Sequence, residues 1–210
     1  MVLDLLTNPD DFFERRAADP GYLRPALIVL AAAVFGAVSS VPVMQATLGA
    51  IPETAGGLAT AFQAIGVIAG LVGAFVRWIL YAAAFYAIAK VAFDGDGGFG
   101  ATFALTGWGF VPAILGGALS AVAYFYAAGT LQSPQTPQQI AIYTRQLQSH
   151  PAVLAVGLLS IVILLWSAFL WTFAVKHVQN LSMRSAAITV AVPTALGVLL
   201  GLWGVLGGVL

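Results

Sequence analysis

Long runs without a single Asp, Glu, Lys or Arg constrain this chain more than any other feature. They extend from Arg24 to Glu53, from Asp96 to Arg145, from Arg145 to Lys176 and from Arg184 to the C-terminus. Each is long enough for the ~20 apolar residues that an α-helix needs to cross a bilayer. Only 8% of the residues are charged and 60% are hydrophobic, against roughly 25% charged in ordinary globular domains. An all-α polytopic membrane protein follows, and 210 residues leave no room for a second, soluble domain. With no cysteine, disulfides, thiolate metal sites and cysteine nucleophiles are excluded. A net charge of zero offers no basic face for nucleic acid.

Five spans are expected, at about 25–48, 65–93, 99–127, 151–175 and 186–209, behind an N-terminal segment of residues 1–24. Asp4, Asp10, Asp11, Glu14 and Asp19 precede the first apolar run. That charge pattern and the run's length are unlike a cleaved signal, so it is read as a retained span. In the lead segment, Asn8 and Pro9 open a helix with acids in its first turn and Arg15 and Arg16 in its last. Leu5, Leu6, Phe12 and Phe13 would lay it on the membrane surface. The stretch from 57 to 93 is too long for one simple crossing, and residues 75–79 lack turn formers. An interfacial lead-in from 53 to about 64 and one long span resolve this. The third span follows the acidic turn at Asp94–Gly98 and is expected to kink at Pro112, with Gly107 and Gly109 nearby. Such breakers are tolerated in lipid where neighbours satisfy the released backbone. In the Gln-rich loop 128–150, Thr136, Pro137 and Gln139 have helix-cap spacing. Ile140, Tyr143 and Leu147 share one face of a short surface helix.

With five spans and the N-terminus inside, Arg15, Arg16, Arg24, Lys90, Lys176 and Arg184 all become cytoplasmic, and only Arg145 lies outside. That bias favours a cytoplasmic N-terminus and an outer C-terminus.

Arg77 is the charge within a span, which makes it a candidate site by default. Gly66, Gly70, Gly73 and Arg77 follow i, i+4, i+7, i+11, so one helix face carries all four and should pack against another helix. Two roles stay open. Arg77 is structural, reaching Glu53, outer headgroups or the carbonyls of Val38 and Trp108 that Pro42 and Pro112 release. Otherwise it forms a site for an anion or lipid headgroup, in a cavity between the second and third spans near Trp108 and Pro112. Gly197, Gly201, Gly204 and Gly208 repeat the stripe on the last span, facing the bundle or a second protomer. Asp94-Gly95-Asp96-Gly97 lacks the remaining ligands of a calcium loop and reads as a turn. His150 should cap the fourth span, and His177 sits at the interface. No catalytic, cofactor-binding or metal-ligating set is found, and no GxSxG, HExxH or phosphate loop is present.

Asn8-Pro9 with Phe12-Phe13 and Pro20, then Gly98-Phe99 leading to Gly107-Trp108 and Pro112, then the Val178–Ser182 turn, resemble the Yip family in its compact prokaryotic form. The family is named for interaction with Ypt/Rab GTPases. The resemblance implies a five-helix bundle with a cytoplasmic N-terminus that organises membranes or scaffolds partners. Eukaryotic members look like membrane organisers in vesicle traffic that bind small GTPases and one another. Their long cytoplasmic N-terminal region has no counterpart in the about 24 residues before the first span, which leaves Rab-type binding open. The expected role is a non-enzymatic scaffold in the cell membrane, with a protein partner at its cytoplasmic face. The alternative is a small transporter, channel or lipid-handling protein built around Arg77.

Overall fold

A computed structural model describes residues 2–207, without the side chains of Val2 and Glu53. The described residues form helices with no strand: α1 (Val2–Thr7), α2 (Pro9–Ala17), α3 (Leu23–Ala50), α4 (Glu53–Phe93), α5 (Phe99–Trp108), α6 (Val111–Thr130), α7 (Pro137–Gln148), α8 (Pro151–Val178) and α9 (Met183–Gly207). Five of them, α3, α4, α6, α8 and α9, are long and apolar enough to cross a membrane.

These five form a ring. Helix α3 lies between α4 and α6, α8 between α6 and α9, and α9 returns to α4. Short α5 packs on α3, α4 and α8, so one half of the bundle is built around it. Residues 53–93 make one continuous helix of 41 residues, about 62 Å at helical rise, in place of a separate lead-in and span. No described residue of α4 before Ala74 is buried, whereas Ala74, Trp78, Ala82, Phe85 and Ala89 all are. Helix α4 therefore packs through its C-terminal half and stands off through the other.

The third crossing is interrupted near Pro112, where a kink is expected, and becomes two helices. Helix α5 ends at Trp108, Gly109 caps it, and α6 begins at Val111 with Pro112 in its first turn. Proline in a first turn has no intrahelical bond to lose, so Pro112 starts a helix rather than kinking one. The two glycines at the break admit close neighbours. A Cβ on Gly107 would fall 2.5 Å from Pro25 Cβ and 2.8 Å from the Trp78 ring, and one on Gly109 would overlap the Trp171 indole. Each glycine is the seat of a buried tryptophan. Trp78 Nε1 donates to the Phe103 carbonyl at 2.8 Å and Trp171 Nε1 to the Thr106 carbonyl at 2.7 Å. Trp78 also stacks on Phe103 at 3.9 Å between centroids. Two large apolar bodies are thus buried with their only polar atoms satisfied.

Surface helix α7 has Tyr143 and Leu147 buried against Ala46, Ala127 and Val153, with Ile140 less covered. Its cap differs from the expected one. The Gln139 side chain reaches back to accept from the Gln135 N–H at 2.7 Å, and the Thr136 side chain makes no capping bond. His150 does cap α8, its Nδ1 accepting from the Ala152 N–H at 3.2 Å.

Candidate functional site

The first site is the end of the bundle that carries the N-terminus. Asn8 precedes α2, but its side chain donates to the Asp11 carboxylate at 2.6 Å rather than capping the backbone. Helix α2 does not rest its apolar face on lipid alone. Leu5, Phe12 and Phe13 are fully buried in a cluster with Leu105, Trp108, Leu170 and Val178, and Leu6 stays partly exposed. Phe12 meets Trp108 edge to face at 5.0 Å. Arg16 covers both rings, 4.0 Å from the Phe12 centroid and 4.5 Å from that of Trp108. Partial burial, then Arg24 and Arg15, lower the Arg16 guanidinium from its ordinary range, and the aromatic faces offset part of that cost. Trp108, expected near Arg77, belongs to this N-terminal seat.

Asp10 ties α2 to the end of α8. One carboxylate oxygen lies 2.6 Å from the Lys176 ammonium and 2.6 Å from His177 Nε2. Hydrogen bonds from Lys176 and then His177 hold its carboxyl below the usual range.

Two turns interlock beside this contact. Asp94, at φ 52°, ends α4 in the left-handed region, and Asn180 adopts the same φ after α8. The Asp96 N–H donates to the Gln179 carbonyl at 3.1 Å. Gln179 is wholly buried, and its Nε2 donates to Thr102 Oγ1 at 2.7 Å. A Cβ on Gly97 would overlap the Val178 carbonyl, and one on Gly95 would lie 2.7 Å from Gln179 Oε1. Gly95 and Gly97 leave room for the 178–182 turn to approach. No group of three or more metal-ligating side chains occurs among the described residues.

The second site is an open groove of about 610 Å³ between α3 and α4. It lies between the first and second spans, not the second and third, and Trp108 and Pro112 are absent from its lining. Pro112 is buried in the bundle. Gly66, Gly70, Gly73 and Arg77 line one wall together, opposite Gly36, Ala37 and Ser40. Their shared face does meet another helix, but loosely: a Cβ on any of the three glycines would touch nothing within 4 Å. Gln63 bridges the far end, its Nε2 donating to the Met44 carbonyl at 3.1 Å while its Oε1 is buried without a partner.

Arg77 closes the groove at its inner end. Among the described residues it has no carboxylate partner and no hydrogen bond, and its guanidinium carbon lies 5.5 Å from the Phe110 ring centroid. Neither the Val38 nor the Trp108 carbonyl receives it. The Glu53 side chain lies outside the described residues, but its backbone opens the same continuous helix. Twenty-four residues at ~1.5 Å separate the two by about 36 Å, which no side-chain pair can span.

On α9 the glycine stripe divides. Gly197 receives the Tyr81 hydroxyl and Leu164, Gly201 faces Ile161 at ordinary contact distance, and Gly204 meets nothing. Gly208 lies outside the described residues. Sequence reasoning missed Asp10 and Gln179, whose partners are more than seventy residues away.

A ring of apolar helices with charges gathered at one end defines a multi-pass membrane protein of the helical-bundle class. Residues 3–205 match the Yip1 domain, and the chain belongs to that family. An uncharacterized protein of Methanocaldococcus jannaschii is 29% identical over 126 residues, which cover 60% of this chain and 89% of that protein. An archaeal relative agrees with a compact prokaryotic form. No solved structure matches the chain.

Proposed function

We propose that this Yip1-domain protein is a non-enzymatic membrane organiser that offers a partner-binding platform at its charged end. The gathering of charge carries the reading. Seven acids (Asp4, Asp10, Asp11, Glu14, Asp19, Asp94, Asp96) and six bases (Arg15, Arg16, Arg24, Lys90, Lys176, Arg184) sit on the segments that meet there. That is thirteen of the chain's sixteen charged residues. Asp11, Glu14, Arg15, Asp19, Asp94, Asp96 and Arg184 are exposed. They are held on α2 and the residues after it, on the acidic turn and on the first turn of α9, so a partner would meet a preformed mosaic and lose little to ordering it. The excess of basic residues at this end over the other supports placing it in the cytoplasm, with the C-terminus outside. A cell-membrane location fits the compact prokaryotic form. Co-purification from crosslinked membranes tests the platform with the Arg15→Glu/Arg184→Glu double variant. Loss of a partner held by the parent chain is expected, and an unchanged set of co-purifying proteins would remove the reading.

The groove favours a second reading, a small transporter or lipid-handling protein with Arg77 at its wall. An open cavity beside an unpaired cation suits it better than a closed, dry bundle would. Solute or lipid flux in liposomes, compared between the parent chain and Arg77→Ala, tests it. Flux no greater than through protein-free liposomes would discard it.

A further inference from the structure

We infer that the groove between α3 and α4 holds the phosphodiester head of an anionic membrane phospholipid at Arg77. The inference deepens the second reading above by naming the ligand class. Three observations support it, beginning with depth. Arg77 lies 13 residues from Lys90 along α4, about 20 Å at helical rise. With Lys90 at the inner interface, as the charge bias places it, a hydrocarbon core ~30 Å thick would enclose the guanidinium. A cation at that depth is costly without a partner, yet among the described residues its side chain finds no carboxylate and no hydrogen bond, with the Phe110 ring and Tyr81 beside it.

The groove also has the shape and polarity of a path. From Gln63 to Arg77 it follows 14 residues of α4, about 21 Å. Its floor of glycine and alanine keeps it open. Thr47, Gln63 and Ser40 set oxygen and nitrogen atoms along it before Arg77, and Gln63 Oε1 is a buried acceptor without a donor. A volume of about 610 Å³ falls within the ~300–1,000 Å³ of ordinary ligand sites.

The third observation decides the source of the anion. No described residue of α4 before Ala74 is buried, and Ile65, Ile68 and Val72, beside the groove, are more than half exposed. The groove is therefore continuous with the bilayer along its side. A phospholipid can place its head at Arg77 while its chains lie against those residues. The planar guanidinium fork matches a phosphodiester, and pairing there removes an isolated charge from hydrocarbon.

The test is native mass spectrometry of the full chain released from vesicles of equimolar phosphatidylglycerol and phosphatidylcholine. The parent chain is expected to retain phosphatidylglycerol in preference. Arg77→Gln should lower that preference by about tenfold or more, the ratio that loss of a charge-assisted pair implies. Gly70→Leu keeps the charge but fills the groove, where added atoms meet open space, and should have the same effect in a folded chain. Arg145→Gln, on α7, should leave retention unchanged. Equal retention of both lipids, or parental preference in Arg77→Gln and Gly70→Leu, would overturn the inference. So would inorganic phosphate binding at Arg77 while no lipid is held. The readout is retention, so a lipid held but not moved supports the site while removing the transport reading.

Discussion

One oxygen of the Asp10 carboxylate lies 2.6 Å from Lys176 Nζ and 2.6 Å from His177 Nε2, joining the first turn of α2 to the last turn of α8. The side chain of Asp10 is 45% exposed, so solvent screens the pair and its worth is ~0.2–1 kcal/mol. Its carboxyl is held below the ordinary value of 3.8. A depressed acid contributes stability above its unfolded value, and loses it as pH falls through the lower folded value. Docking of α2 should therefore hold at neutral pH and weaken below about pH 4. Amide exchange of residues 9–17 across that range checks this, and Asp10→Asn should abolish the pH dependence.

Burial of Phe13 contributes more to docking than the ion pair does. Removing a fully buried phenylalanine costs ~3–5 kcal/mol, and a nine-residue helix has little stability by itself. Phe13→Ala should release the N-terminal helices while the five long helices persist. Limited proteolysis should then cleave within residues 2–20, with circular dichroism little changed. Protection equal to the parent chain would contradict the buried seat.

Gly109 and Gly66 should respond to alanine in opposite directions. At Gly109 a methyl group overlaps the Trp171 indole, and overpacking of this kind costs about 1–3 kcal/mol. At Gly66 the methyl meets nothing, and alanine gains up to ~1 kcal/mol of helix propensity. Thermal unfolding in detergent should show a lower midpoint for Gly109→Ala and an equal or higher one for Gly66→Ala.

The cysteine-free sequence suits labelling of topology. In intact cells, Ser133→Cys in the 131–136 loop should react with an impermeant thiol reagent, and Asp19→Cys only after permeabilisation. The reverse pattern would invert the orientation and move the charged platform outside.

How far the fold could be read depended on the range of the interaction concerned. The long apolar runs, the Pro9, Pro137 and Pro151 helix starts and the His150 cap are local, and each was visible within a few residues. The shared phase of Gly66, Gly70, Gly73 and Arg77 was legible too, because helical periodicity alone places them on one face. The break before Pro112 was also legible, but not the seat that Gly109 gives Trp171, an indole more than sixty residues away. The groove was assigned to the wrong pair of helices for the same reason: a face can be read from one helix, whereas its neighbour cannot.

Local chemistry therefore determined that this chain would form five helices long and apolar enough to cross a membrane, and that Arg77 would share a face with three glycines. Long-range packing alone decided that the glycines around Trp108 would seat Trp78 and Trp171, and that Phe12 and Phe13 would close one end. It also decided that α4 would part from α3 beside Arg77. Hydrogen bonding within a helix needs only neighbouring residues, but the order of helices around a ring depends on side-chain shapes meeting across it.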